Sequence, residues 1–159
     1  MFEKFGEFDS AEELNKAAKG FRDEGDEESL FALAKENGID KEDAEDYWDG
    51  ATDELASETM AAVGRIATER EATKADSPAR VILLMISGMM DDAELRKAVM
   101  KKGKRAGKLL EKMRKTAKKH ETGGTGVCCG TDKQLKDLIR AYYLQTDEEL
   151  DEKLETLYK

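Results

Sequence analysis

One proline, Pro78, and one histidine, His120, occur in 159 residues, and the two cysteines, Cys128 and Cys129, are adjacent. With a single proline, almost nothing along the chain removes a backbone donor or locks φ against the helix. One histidine and two neighbouring thiols supply at most three soft ligands. Adjacent cysteines do not chelate one ion as a spaced C-x-x-C pair does, so neither a metal nor a cofactor is expected. A Cys–His nucleophile pair would sit in the glycine-rich segment ETGGTGVCCG, surroundings that do not preorganise a site. These thiols read as structural or incidental ones in a reducing compartment.

Other absences narrow the function further. The longest apolar run, residues 81–90, is broken by Ser87 and Gly88 and is far short of the ~20 residues that span a bilayer. MFEKFGEF lacks the basic flank and apolar core of a secretory signal, so a cytoplasmic protein without membrane association is expected. Gly123, Gly124 and Gly126 do not make a phosphate loop, because no Gly-Lys-Ser/Thr and no preceding strand accompany them. DKEDAEDYWDG fails the calcium-loop spacing and lacks its sixth-position glycine. A binding protein is expected rather than an enzyme.

What is present is helical. Ala, Glu, Lys and Leu dominate and β-branched residues are few, which predicts an all-α fold. Start and stop signals divide the chain. Ser10 with Glu13, Thr131 with Gln134 and Thr146 with Glu149 have capping-box spacing. Asp26, Asp40 and Thr52 are further helix starts, Gly25, Gly38 and Gly50 are stops, and Ser77-Pro78 opens an apolar helix. Phe2, Phe5 and Phe8 suggest a tail that lays its rings on the body. The reading is a compact bundle of roughly seven helices over residues 1–159, one domain. Residues 1–50 form a small acidic three-helix module, and 51–159 form the main body with a long helix over 91–120.

Charge is divided as sharply as structure. Residues 1–59 carry twenty acids and six bases, whereas 101–120 carry ten bases and one acid, Glu111, in a chain of net charge −9. At about 100° per residue, Leu95, Val99, Ala106, Leu109, Leu110, Met113 and Ala117 fall on one arc of a helix. Lys101, Lys104, Arg105, Lys108, Lys112, Lys115 and Lys119 fall on the neighbouring arc, a cationic rail suited to phosphates or an acidic protein face. No aromatic residue interrupts it, which argues against base stacking. Gly103, Ala106 and Gly107 have the spacing that lets a second helix approach closely; a break at Gly103 is the competing reading. In the acidic module, Asp40, Glu42, Asp43, Glu45, Asp46 and Asp49 lie close together. Carboxylates so grouped can occupy a basic groove in place of phosphates, against the plainer role of keeping the protein soluble.

The segments FEKFGEFDSAEELN, ALAKENGIDKEDAEDYWDG and LKDLIRAYYL resemble small mobile-element proteins of Firmicutes grouped with the PcfK-like and type II-A anti-CRISPR (Cas9 inhibitor) families. KKGKRAGKLLEKM resembles the basic helix of those proteins, with Lys108, Glu111 and Lys112 at positions where Cys or Trp is more frequent among them. The resemblance implies a phage or conjugative-element protein acting in the bacterial host cell. It implies a helical inhibitor that binds a Cas9 effector or its guide-RNA complex and blocks DNA engagement or cleavage. Two alternatives stand beside it: a nucleic-acid-binding accessory protein that uses the rail directly, and a self-assembling structural protein in which rails meet acidic modules, a homodimer being its simplest form.

Overall fold

A computed structural model describes residues 2–124, 126 and 130–158, so the Cys128–Cys129 pair lies outside the described residues. Nine helices occur among them, and the fold is all-helical: α1 (Ala11–Glu24), α2 (Glu27–Glu36), α3 (Lys41–Trp48), α4 (Glu58–Ala72), α5 (Ala79–Ser87), α6 (Ala93–Val99), α7 (Ala106–Lys119), α8 (Asp132–Leu144) and α9 (Asp147–Thr156). Local signals place most of the boundaries. The Ser10 hydroxyl accepts the Glu13 N–H, Asp26 accepts the Ser29 N–H, and Gly25 closes α1 at φ 71°. Thr131 with Gln134 and Thr146 with Glu149 form complete capping boxes. At the first of the three expected boxes the return bond differs: the Glu13 carboxylate accepts the Asp9 N–H, not that of Ser10.

Three expectations change. Thr52 does not start a helix; residues 51–55 are bends, and α4 begins at Glu58 behind a Ser57 cap. Asp40 precedes α3 without a side-chain capping bond. The long helix over 91–120 is two helices, so the chain has more than the roughly seven anticipated. Its break has a definite cause. Gly103 turns at φ 77°, and carboxylates from elsewhere capture the backbone donors around it. Asp9 accepts the Lys102 N–H at 2.7 Å, Glu7 accepts the Gly103 N–H at 2.9 Å, and Glu69 accepts the Ala106 N–H at 2.7 Å. Helical hydrogen bonds around a glycine, the weakest helix former after proline, yield to charge-assisted ones.

The apolar residues form two cores that meet along α4. Phe8, Leu14, Leu30, Leu33, Ala44 and Tyr47 fill the core of α1–α3, together with Leu55, Ala61 and Met100. Ile66, Leu83, Ile86, Leu95, Leu109, Met113, Ile139 and Leu150 fill the core of α4–α9. Leu14, Leu30, Leu33, Leu83 and Ile139 have no solvent exposure, and burying each contributes roughly 1.5–3 kcal/mol. The tail rings dock as the sequence suggests: Phe8 is buried, and Phe5 meets Phe21 edge to face at 5.4 Å.

The close backbone approach lies elsewhere than at Gly103 and Gly107. A Cβ on Gly107 would meet nothing within 4 Å, and one on Gly103 would meet only the Lys108 ammonium at 3.7 Å. A Cβ on Gly64 of α4 would lie 2.3 Å from the Asn37 carbonyl, and one on Gly38 would lie 2.6 Å from the Gly64 carbonyl. The turn after α2 therefore rests directly on the backbone of α4, and this contact seats the N-terminal helices against the body.

Candidate interaction surfaces

Helix α3 carries the acidic face. Asp40, Glu42, Asp46 and Asp49 are exposed, and Asp43 and Glu45 are half-buried. Glu42, Glu45, Asp46 and Asp49 share about 100° of the helix surface, which makes one continuous acidic strip. Its other side is fixed: Ala44 and Tyr47 are buried, Trp48 packs against the same core, and the Arg22 guanidinium lies over the Tyr47 ring at 4.2 Å while donating to the Tyr47 carbonyl at 2.9 Å. Among the described residues, only Glu45 of the six acids has a cationic partner, Lys41. The first-turn acids Glu42 and Asp43 favour the helix dipole, but Asp46 and the C-capping Asp49 face its negative end, and α3 has no base in its last turn.

Four of the seven rail residues are engaged inside the fold. Lys104 lies over the Tyr142 ring at 4.6 Å and donates to the Tyr142 carbonyl at 2.6 Å, and desolvation lowers its pKa. Arg105 pairs with Glu7, and its backbone N–H donates to the Tyr142 hydroxyl at 3.0 Å. Lys112 bridges Asp147 and Asp151 of α9 at 3.1 and 3.8 Å, and Lys119 meets Glu155 at 3.5 Å. His120 also reaches Glu155, at 2.5 Å, and stacks on Tyr158. Lys102, outside the expected rail, pairs with Asp9 and Glu13 at 3.6 and 3.2 Å. Lys101, Lys108 and Lys115 face solvent and form no ion pair among the described residues. Arg114 and Lys118 join Lys108 and Lys115 on the outer face of α7, two positions that the single-arc reading omitted.

Between the two cores runs a seam of buried charge. Arg65, only 3% exposed, donates to Glu7 at 2.7 Å, and Arg105 binds the other oxygen of the same carboxylate. Burial alone would raise the Glu7 pKa, but the Gly103 N–H and the two guanidinium charges outweigh it and hold the carboxyl below its ordinary value. Glu69 has the opposite balance. Desolvation dominates and raises its pKa, against the Ala106 N–H and the Arg105 and Arg65 charges. Tyr143, buried beside this seam, is raised by the same desolvation. Sequence reading missed all four ionic residues as a unit, since they come from three distant segments.

A cleft of about 970 Å³ opens beside the seam, between the N-terminal segment, α2, α3 and α4, with Phe2, Phe31, Ile39 and Ala67 on its walls and Lys35 and Glu71 at its rim. Among the described residues no group of three His, Cys, Asp or Glu side chains is placed to hold a metal ion. Among the described residues, no helix is long and apolar enough to cross a membrane. The acids of α3 form a continuous exposed acidic strip, all but Glu45 without a cationic partner among the described residues. No protein-family model, curated protein or solved structure matches the chain.

Proposed function

We propose that the protein is an inhibitory binding protein whose acidic α3 strip docks on a cationic, nucleic-acid-binding groove of another protein. The carrying observation is the asymmetry of neutralisation. Much of the rail is bound internally by Glu7, Asp147, Asp151 and Glu155, whereas Asp40, Glu42, Asp43, Asp46 and Asp49 have no cationic partner among the described residues. A lysine or arginine brought to Asp46 and Asp49 would relieve an unfavourable helix-end charge, worth about 0.3–1 kcal/mol per residue at an exposed end.

The sequence resemblance names the partner: a Cas9 effector, which holds nucleic acid in a positively charged channel and reads a short motif in the adjacent duplex. An acidic helix seated there competes with phosphates for the same side chains. The test is a pull-down with guide-loaded Cas9 followed by a DNA-cleavage assay. Retention of the effector and suppressed cleavage are expected, both lost on charge reversal at Asp43, Glu45, Asp46 and Asp49. Absence of retention by the unaltered protein removes the Cas9 reading.

A second reading draws on Lys108, Arg114, Lys115 and Lys118, four outward cations on α7 without an ion-pair partner among the described residues. It makes the protein a nucleic-acid-binding accessory and requires that the free protein shift DNA or RNA at low salt, with affinity falling steeply as salt rises.

A further inference from the structure

The Glu7 carboxylate sits in a cradle built by other segments. Its Oε2 accepts from Arg65 Nη2 at 2.7 Å and from the Gly103 N–H at 2.9 Å, and its Oε1 accepts from Arg105 Nη2. The donors belong to α4 and to the α6–α7 turn, elements fixed by both cores and by Glu69. The acceptor belongs to a strap, residues 2–7, which forms no helix and makes no backbone–backbone hydrogen bond among the described residues. The Lys4 and Phe5 N–H groups of this strap go to the Glu36 carboxylate.

The cradle needs an anion whether or not the strap is in place. Arg65 is buried, its Nε has no hydrogen-bond partner, and the Arg105 charge beside it is repulsive. Two guanidinium groups that close, with Glu69 the carboxylate that still acts on both, leave an uncompensated buried charge once Glu7 departs. The roof is the Phe2 ring, 4.5 Å from the Arg65 guanidinium and 5.3 Å from that of Arg105. Phe2 holds φ 56°, the one non-glycine residue in the left-handed region among those described, so the strap is seated with backbone strain.

We propose that Arg65, Arg105 and the Gly103 N–H form a carboxylate-binding site that Glu7 closes in cis, and that an acidic side chain supplied in trans is its alternative ligand. Three donors converge on two oxygens, the pattern of a planar carboxylate against forked guanidinium groups. A phosphate brings two further oxygens, with at most the free Arg65 Nε to meet one of them, and a second negative charge near the Glu69 carboxylate that already acts on both guanidinium groups, so a carboxylate matches the site better. The site is separate from the α3 strip and stands whether or not that strip binds a cationic partner.

The test is chemical rescue of Glu7→Ala. In chloride the variant should melt roughly 5–15 °C below the unaltered protein, the range for unpairing a buried charge in a chain of this size. Acetate at matched ionic strength should restore several degrees of this loss saturably. It should leave the unaltered protein unmoved apart from the general salt effect. The double variant E7A/R105M should show no saturable recovery, and phosphate should recover less than acetate. Equal acetate responses in all three proteins, or phosphate outperforming acetate, would overturn the proposal. If E7A does not fold in chloride, refolding yield is read instead: recovery in acetate supports the site, and failure in every anion refutes it.

Discussion

Glu69 of α4 accepts the backbone N–H of Ala106, the first residue of α7, at 2.7 Å. Helix α7 has no capping side chain of its own, since its N-cap is Arg105 in extended conformation. A carboxylate from another helix does the work that Ser10, Asp26, Ser57 and Asp92 do at the starts of α1, α2, α4 and α6.

Replacing Glu69 tests that capping role and its electrostatics together. Glu69→Ala leaves a helix-end donor unsatisfied in a buried seam and should cost about 1–3 kcal/mol in urea unfolding. Glu69→Gln keeps an acceptor and has a pH signature. Because the folded pKa is raised by desolvation, the unaltered protein loses stability from this group as pH climbs from the ordinary glutamate range through that raised value. Glutamine does not titrate, so the stability of E69Q relative to the unaltered protein should increase as pH rises above the ordinary glutamate range. A difference that is flat with pH would mean that Glu69 is not desolvated.

Two glycine substitutions separate the close approach expected from sequence from the one observed. Gly64→Ala drives a methyl into the Asn37 carbonyl and should destabilise by about 1–3 kcal/mol. Gly107→Ala adds a methyl in open space on an exposed helical position and should stabilise by about 0.5–1 kcal/mol. Denaturant midpoints with unchanged slopes provide the measurement. The reverse ranking would place a second helix against Gly107.

The apolar helix α5 offers a third comparison. Leu83 is fully buried, whereas its neighbour Leu84 is 65% exposed, so the helix is apolar nearly all round but buried on one side only. Leu83→Ala should cost about 2–5 kcal/mol through lost contacts and the cavity left behind. Leu84→Ala should lie within about 0.5 kcal/mol of the unaltered protein by thermal or urea unfolding. A large effect at Leu84 would show its face covered in solution.

These comparisons mark where sequence reasoning reaches. Caps such as Ser10, Asp26, Thr131 and Thr146 are legible because both bonding partners lie within three residues. The all-helical class is legible because it sums many weak preferences over the chain. The break over 100–105 is not, although Gly103 hints at it. The carboxylates that capture its donors stand 93, 96 and 37 residues away, on Asp9, Glu7 and Glu69. The same distance hides the fate of the rail. A helical wheel shows which cations share an arc, but Asp147, Asp151 and Glu155 reach Lys112 and Lys119 only after α9 packs beside α7. The α3 strip was easier to read, since its acids and its buried Tyr47 all belong to one short helix.

The most direct measurement compares two charge reversals in one titration against guide-loaded Cas9. One variant changes Asp43, Glu45, Asp46 and Asp49 to lysine; the other changes Lys108, Arg114, Lys115 and Lys118 to glutamate. The α3 variant should lose binding by at least about tenfold, equivalent to about 1.4 kcal/mol, while the α7 variant binds like the unaltered protein. Loss of binding in the α7 variant, with the α3 variant unimpaired, would contradict the account and place the working surface on the cationic helix.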